Sequence, residues 1–404
     1  MGDPLFIDGV DWGDVAVMII KVGLGFVFGL LATVFMVWFE RKLIGRMQNR
    51  VGPKEAGPFG MLQSLADGIK FFFKEDNRPA NADPLIFRLA PYIATVTAVL
   101  SLAVVPIAGD FRDGGDGTIS LFGKTTFGMV ADPPAGILFL LAMSSIAVYG
   151  VMLAGWSSGS KYPLLGSVRA SAQAISYEAA LGMAVVAVVL VSGTLSTHGI
   201  VAEQAGGIRN WGVLSTGLLP FVIFLIAATA ELNRPPFDLV EAEQELVGGF
   251  HTEYASIRFA LFFLAEFMNV VTMSAIMVTL FFGGPLPPVD NDIFHLIPGP
   301  IWFIAKVMVF LFIFVWFRAT LPRLRYDQLM NLGWKVMIPA ALGWLLALSA
   351  IRLARVDENS DWNLVLLIGG AFVVFVAALS LLLVGIRAGD RTYDAELRET
   401  AARR

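Results

Sequence analysis

Nine apolar runs limit what this chain can fold into: residues 15–39, 89–108, 136–156, 171–195, 211–230, 257–282, 301–317, 336–351 and 363–386. Crossing about 30 Å of hydrocarbon takes roughly 20 apolar residues in a helix. Backbone inside a bilayer must satisfy its own polar groups, which leaves helices or closed barrels. No strand alternation runs long enough for a barrel. The expected fold class is therefore all-α, a polytopic membrane protein of about nine transmembrane helices. The eighth run is short and holds Pro339 near its start, so its limits stay open. Composition agrees: 56% of residues are hydrophobic and 15% charged, against about 25% charged in soluble domains. A soluble enzyme is excluded. With no cysteine, the chain cannot ligate an iron–sulfur cluster, attach a c-type haem or use a thiol nucleophile. Its three histidines, His198, His251 and His295, never share a helix, which excludes an intrahelical metal pair. Neither GxGxxG after a strand nor GxxxxGK[ST] occurs. Any electron carrier must belong to a partner.

Loop charge gives the expected orientation. With the N-terminus outside, inner segments hold 22 of the 29 Lys and Arg residues and outer segments 5, while Lys21 and Lys306 lie within runs. The positive-inside rule then places the N-terminus outside and the C-terminus in the cytoplasm. Asp3, Asp8, Asp11 and Asp14 precede the first base, Lys21, unlike a signal peptide. Between the first two runs, residues 59–73 put Leu62, Leu65, Ile69, Phe72 and Phe73 on one helical face behind Pro58. Fifteen residues are too short to span. They suit a helix in the membrane interface, or one packed under a neighbouring loop.

Three sets of charged residues suggest chemistry. The segment AELNRPPFDLVEAEQELVGGFHTEY carries Glu231, Asp238, Glu241, Glu243, Glu245 and Glu253 against one base, Arg234. Pro235-Pro236 breaks any helix there, so irregular backbone starts at the membrane edge, where it must be buried in protein or line a cavity. A helix over 238–246 would place Glu241 and Glu245 about 6 Å apart, repelling by about 3 kcal/mol at an effective dielectric of about 20. Such a cluster would hold protons near neutrality; the alternative is a solvated acidic loop. Lys21, Glu178, Glu266 and Lys306 are intramembrane ionisable groups, which default to function. The plainer readings are a buried pair, for instance Glu266 with Lys306, or snorkelling from a span end. Finally, residues 40–58 and 317–335 mix bases with Gln48, Asn49, Tyr326, Asp327 and Gln328. That mixture exceeds what topology needs and suits docking of a polar head group or a protein.

Together and in order, WFERKLIGRMQNRVGP, KYPLLGSVRASAQAISYE, AELNRPPFDLVEAEQELVGGFHTEY and FRATLPRLRYDQLMNLGWK closely resemble the H-subunit family of proton-translocating NADH–quinone oxidoreductase. This is the mitochondrial subunit-1 family of respiratory complex I. The resemblance covers residues 10–352 and eight spans. It implies a family-like membrane domain with quinone-chamber loops at 1–352; the remaining residues, 353–404, read as an extra span with a basic tail and lie outside the resemblance. It also implies a chamber for quinone, menaquinone or ubiquinone, built with peripheral-arm subunits that bear the terminal iron–sulfur cluster. FMN and the clusters belong to partners. Mapped by motif, the chamber residues are Arg41, Arg50, Arg234, Phe263, Arg318 and Arg323. The proton path is Glu178, Glu231, Asp238, Glu241, Glu243, Glu245 and Glu266. Further partners implied are small membrane subunits, antiporter-like subunits and lipid, with no nucleic acid. The location implied is the bacterial plasma (inner) membrane. The mechanism expected is electrostatic: charge developed on quinone shifts carboxylate protonation, and the loop passes the change along the membrane arm. Two rivals are a homologous component of an ion-pumping hydrogenase-type complex and a secondary transporter. The latter would show inverted repeats and broken helix pairs, which the sequence lacks.

Overall fold

A computed structural model describes residues 3–6, 11–111, 115–240, 243–289, 294 and 296–356, without the side chains of residues 243, 244 and 354–356. The ninth run, the tail, Glu241 and His295 lie outside the described residues. Among the described residues, seven helices are long and apolar enough to cross a membrane, and an eighth apolar helix is shorter.

The first, α1 (Trp12–Met47), starts at a capping box in which Asp11 and Asp14 satisfy each other's backbone N–H groups. Its 36 residues reach about 54 Å, past the hydrocarbon at one or both ends. Next, α2 (Gln63–Phe73) realises the surface helix, four residues shorter than expected at its start. Phe59 turns the chain with a φ of 56°. None of α2 is buried, and Leu65, Ile69, Phe72 and Phe73 are all exposed. An uncovered apolar face fits a helix lying on lipid rather than one under a loop.

Asp83 caps α3 (Pro84–Leu102) by accepting from Leu85 and Ile86 N–H, with Pro84 at the first helical position. A hairpin, β1 (Thr118–Leu121) against β2 (Lys124–Phe127), follows. Sequence reading missed it. Its two-residue turn, Phe122-Gly123, has positive φ at both positions, as tight hairpins require. α4 (Gly136–Ser157) and α5 (Lys161–Ser192) then form an antiparallel pair. Their close approach needs Gly155, where a Cβ would meet Ser167 Oγ at 2.2 Å.

After the short α6 (Thr197–Glu203), the fifth apolar run differs from expectation. It divides into α7 (Gly212–Ser215) and α8 (Leu218–Glu231), broken at Gly217, whose φ is +86°. A left-handed glycine ends helical propagation, so the spanning part shortens to 14 residues. One turn, α9 (Glu243–Leu246), precedes α10 (Ser256–Phe281). A helix over 238–246 is not formed at its start, since residues 238–240 are not helical. Phe237, Leu239 and Val240 are instead buried in the core.

α10 is the centre of the bundle: 72% of its most apolar stretch is buried, against 11% for α1. α11 (Gly299–Thr320) packs beside it. The eighth span is one helical run made of α12 (Tyr326–Asn331), a π-turn (Leu332–Met337) and α13 (Ile338–Val356). It starts ten residues before the apolar run, because a π-turn just ahead of Pro339 lets the helix pass a residue with no N–H to donate. Tyr177, Phe224, Phe281, Phe303 and Phe314 fill the core where α5, α8, α10 and α11 meet.

Candidate functional site

α8 ends in a way that aims one arginine inward. Asn233, with φ 52°, takes the left-handed position. Arg234 N–H donates to Thr229 O and Asn233 N–H to Ala230 O, the Schellman pattern that closes a helix. Pro235-Pro236 then prevents continuation. The irregular backbone is buried in protein, as its place at the membrane edge demands. The amide nitrogen of fully buried Gln173, on α5, lies 2.6 Å from Ala230 O and 3.0 Å from Phe237 O. The segment after α11 is tied to the same loop, Leu324 N–H donating to Pro236 O at 3.0 Å.

Arg234 lands in an ion cluster built from four elements. Its Nη1 donates to both oxygens of Glu40, on α1, at 3.2 and 3.1 Å. Its Nη2 lies 3.1 Å from Glu266 Oε1, on α10, and its guanidinium sits 4.7 Å over the Phe267 ring. Arg318, at the end of α11, donates to Glu40 from the other side. Two acids and two bases thus balance, with Glu40 6% and Arg234 4% exposed. Buried charges persist only when so paired. Glu40 was not among the expected site residues. An acid followed at once by Arg41 and Lys42 at a span end reads as part of a topology signal. Its one clue is that it is the sole acid of that stretch before Glu55.

The expected Glu266–Lys306 pair does not form. Lys306 Nζ donates to the carbonyls of Phe282, Gly284 and Leu286 at 2.6–3.0 Å and lies over the Trp211 ring. α10 and α11 are antiparallel. Glu266 is ten residues from the start of α10 and Lys306 seven from the start of α11, so they sit about 15 and 10 Å from opposite ends.

A second carboxylate pair lies across α4. Ser144 donates to Glu231 and Ser145 to Glu178. Two cavities of about 90 Å³ each flank Glu231, room for a few waters apiece. Glu231, Asn233 and Asn269 line both; Ser144 and Thr272 line only the first, Phe263 and Glu266 only the second. Glu231 Oε2 and Thr272 Oγ1 are buried without hydrogen-bond partners among the described residues. Water in the first cavity would satisfy both. Glu266, the cavities, Glu231 and the Ser144–Ser145 step to Glu178 therefore form one polar track through an apolar bundle.

Other expected residues fall elsewhere. Phe263 is half-buried, its ring 4.5 Å from Phe267, at the edge of the ion cluster. Arg323 holds buried Nε and Nη2 groups with no hydrogen-bond partner among the described residues. Asp238 lies close enough to act on the charge of Glu266. Arg41 leaves the cluster and pairs with Asp67 of α2 at 2.5 Å, and Arg50 donates to Gln48 at 2.7 Å on the surface. Glu243 lies in α9. Glu245 meets Arg169 at 2.7 Å. That hydrogen bond holds its carboxyl below the ordinary range. Among the described residues no group of His, Asp and Glu has the makings of a metal site.

His251 borders the second cavity, packed edge-on against Phe250 and Phe259. Burial pushes its pKa down to about 4. Between that value and about 6.5 the unfolded chain binds the extra proton, so stability falls as pH drops through this window. His251→Phe is expected to flatten the melting temperature against pH between about 6.5 and 4. An unchanged slope would show that His251 is not buried neutral.

Crossing helices with a buried ion cluster and buried carboxylates between them define a polytopic membrane protein. Comparison with known proteins gives the family. A family model described as NADH dehydrogenase matches residues 20–349. A protein of Frankia casuarinae, named as the H subunit of NADH-quinone oxidoreductase, is 49% identical over 393 residues, covering 96% of this chain and 83% of that protein. One of Streptomyces avermitilis with the same name is 45% identical over 367 residues, covering 89% of this chain and 78% of that protein. The chain belongs to the NADH dehydrogenase family, among the H subunits of NADH-quinone oxidoreductase. A match over 96% of the chain also takes in residues beyond 356, where the family model has ended.

Proposed function

We propose that this chain forms the membrane side of the quinone chamber of an NADH–quinone oxidoreductase and couples quinone reduction to proton translocation. Its basic end, bearing Arg41, Arg50, Arg318 and Arg323, faces the cytoplasm, and the N-terminus faces outside a bacterial plasma membrane. Peripheral-arm subunits dock on that end and deliver electrons from their iron–sulfur cluster, and antiporter-like and small membrane subunits extend the bundle laterally. Quinone is the substrate. Residues 1–352 carry this role, and 353–404 add a span and a basic tail.

The reading rests chiefly on the cluster Glu40–Arg234–Arg318–Glu266 and on the cavities that continue from Glu266 to Glu231. A quinone reduced beside the cluster gains negative charge and draws protons. Two nitrogens of Arg323, without hydrogen-bond partners among the described residues, and the half-exposed Arg318 are positioned to meet that charge. Phe263 and Phe267 supply the apolar wall an isoprenoid tail needs. Pulling Arg318 or Arg234 toward the quinone loosens its hold on the carboxylates, which then change protonation. Glu266 and Glu231 pass the proton inward to Glu178. Asp238, Glu241 and Glu243 feed the path as parts of the same acidic segment, and Glu245 anchors the loop to α5 through Arg169.

Arg318→Ala tests the chamber role. Quinone-linked NADH oxidation is expected to fall about tenfold, equivalent to about 1.4 kcal/mol of barrier. NADH oxidation by an artificial acceptor, upstream in the peripheral arm, is expected to stay normal. Equal loss of both activities would make Arg318 an assembly residue instead.

A further inference from the structure

Lys21 is an intramembrane cation that the proposed mechanism leaves unused, and it opens onto a cavity. That space, about 670 Å³, lies between α1, α3 and residues 130–133. Its walls include Met18, Val22, Phe26, Leu100, Phe139 and Met268. Met18, Val22 and Phe26 are each about half exposed, so the groove opens sideways, toward lipid. Gly25 and Gly29 set its floor: a Cβ would stand 2.4 Å from Val130 Cγ2 at the first and 2.8 Å from Leu102 Cδ2 at the second.

Depth identifies the occupant. Lys21 is twenty residues before Arg41 on one helix, about 30 Å, the hydrocarbon thickness. It therefore marks the head-group boundary of the leaflet opposite the basic end. The groove closes near Gly29 and Met268, about 12 Å deeper, which is roughly one leaflet. A helix from a neighbouring polypeptide would need the full depth of the membrane. One acyl chain needs only this.

Charge identifies the head group. Lys21 Nζ donates to Asp3 Oδ2 at 2.8 Å and Thr126 Oγ1 at 2.6 Å. Of its three N–H donors, one is left without a partner among the described residues. Asp132, which accepts from Ser196 Oγ at 2.8 Å, stands on the same rim. Among the described residues that line the groove, two carboxylates, Asp3 and Asp132, stand against one ammonium, Lys21. Such a rim offers one donor to a phosphate and a carboxylate to an ammonium, and it disfavours lipids of net negative charge.

We propose that this groove binds one acyl chain of a phospholipid with a primary-ammonium, zwitterionic head group, its phosphate over Lys21 and its ammonium over Asp132. The test uses the assembled complex with a benzophenone amino acid at position 18, in bilayers of equal phosphatidylethanolamine and phosphatidylglycerol. Irradiation is expected to give a phospholipid adduct on this chain, with ethanolamine exceeding glycerol several-fold. Ala103→Phe, which fills the groove, is expected to lower the adduct several-fold. Asp132→Asn, which keeps the packing, is expected to bring the two head groups to parity. Adducts with another polypeptide would overturn the proposal. So would adducts that simply mirror bilayer composition and ignore Asp132→Asn.

Discussion

Glu40→Gln is expected to lower quinone-linked turnover at least tenfold while NADH oxidation by an upstream artificial acceptor stays normal. Glu40 takes hydrogen bonds from both Arg234 and Arg318. Removing its charge leaves two guanidiniums near one remaining carboxylate, Glu266, in a site where Arg234 is almost fully buried. Breaking a buried pair typically costs about 3–5 kcal/mol. Arg318 is half-exposed and water screens its share, so Arg234 bears most of that cost. If only about 1.4 kcal/mol of it reaches the barrier, turnover drops tenfold. A variant with full turnover would reduce Glu40 to a helix-end charge.

The second large effect belongs to the carboxylate track. Glu231→Gln and Glu266→Gln keep volume and remove a group that can bind and release a proton; at Glu266 the change also removes the charge that faces Arg234. Each is expected to slow coupled quinone reduction in proteoliposomes by about 10²-fold, the low end of what a positioned proton-transfer group contributes. Proton pumping should fall in step. Subunit content of the purified complex should not change. Normal rates and proton-to-electron ratios in both variants would remove these carboxylates from the path.

Much of this was readable in the residues, and each miss has a physical cause. Long apolar runs marked the spans, since helices are nearly the only way to cross lipid. The fifth was overextended because apolar content does not register that Gly217 takes a left-handed φ and divides the run. Pro235-Pro236 announced the irregular loop. Yet Phe237, Leu239 and Val240 bury themselves in irregular backbone, which the run of acids around them does not announce. Arg234, Arg318, Phe263 and Glu266 were named from the sequence and do converge. Glu40 was missed because partners almost 200 and 280 residues away give its acid a meaning that its neighbours Arg41 and Lys42 conceal. Arg41 holds α2 through Asp67, a partner that the run Arg41-Lys42 does not disclose. The Glu266–Lys306 pairing failed on depth, which requires knowing that consecutive helices run opposite ways.

Coupling through the ion cluster requires that reduction of quinone change the protonation of Glu266. Infrared difference spectroscopy of the assembled complex, reduced minus oxidised, reads that change as a carboxylic-acid carbonyl band sensitive to deuterium exchange. The band is expected in the wild-type complex, absent in Glu266→Gln, and displaced in Glu40→Gln, where the same arginines are redistributed. A difference spectrum in which the carboxyl bands of the wild type and Glu266→Gln coincide would contradict the coupling of the ion cluster to the proton path.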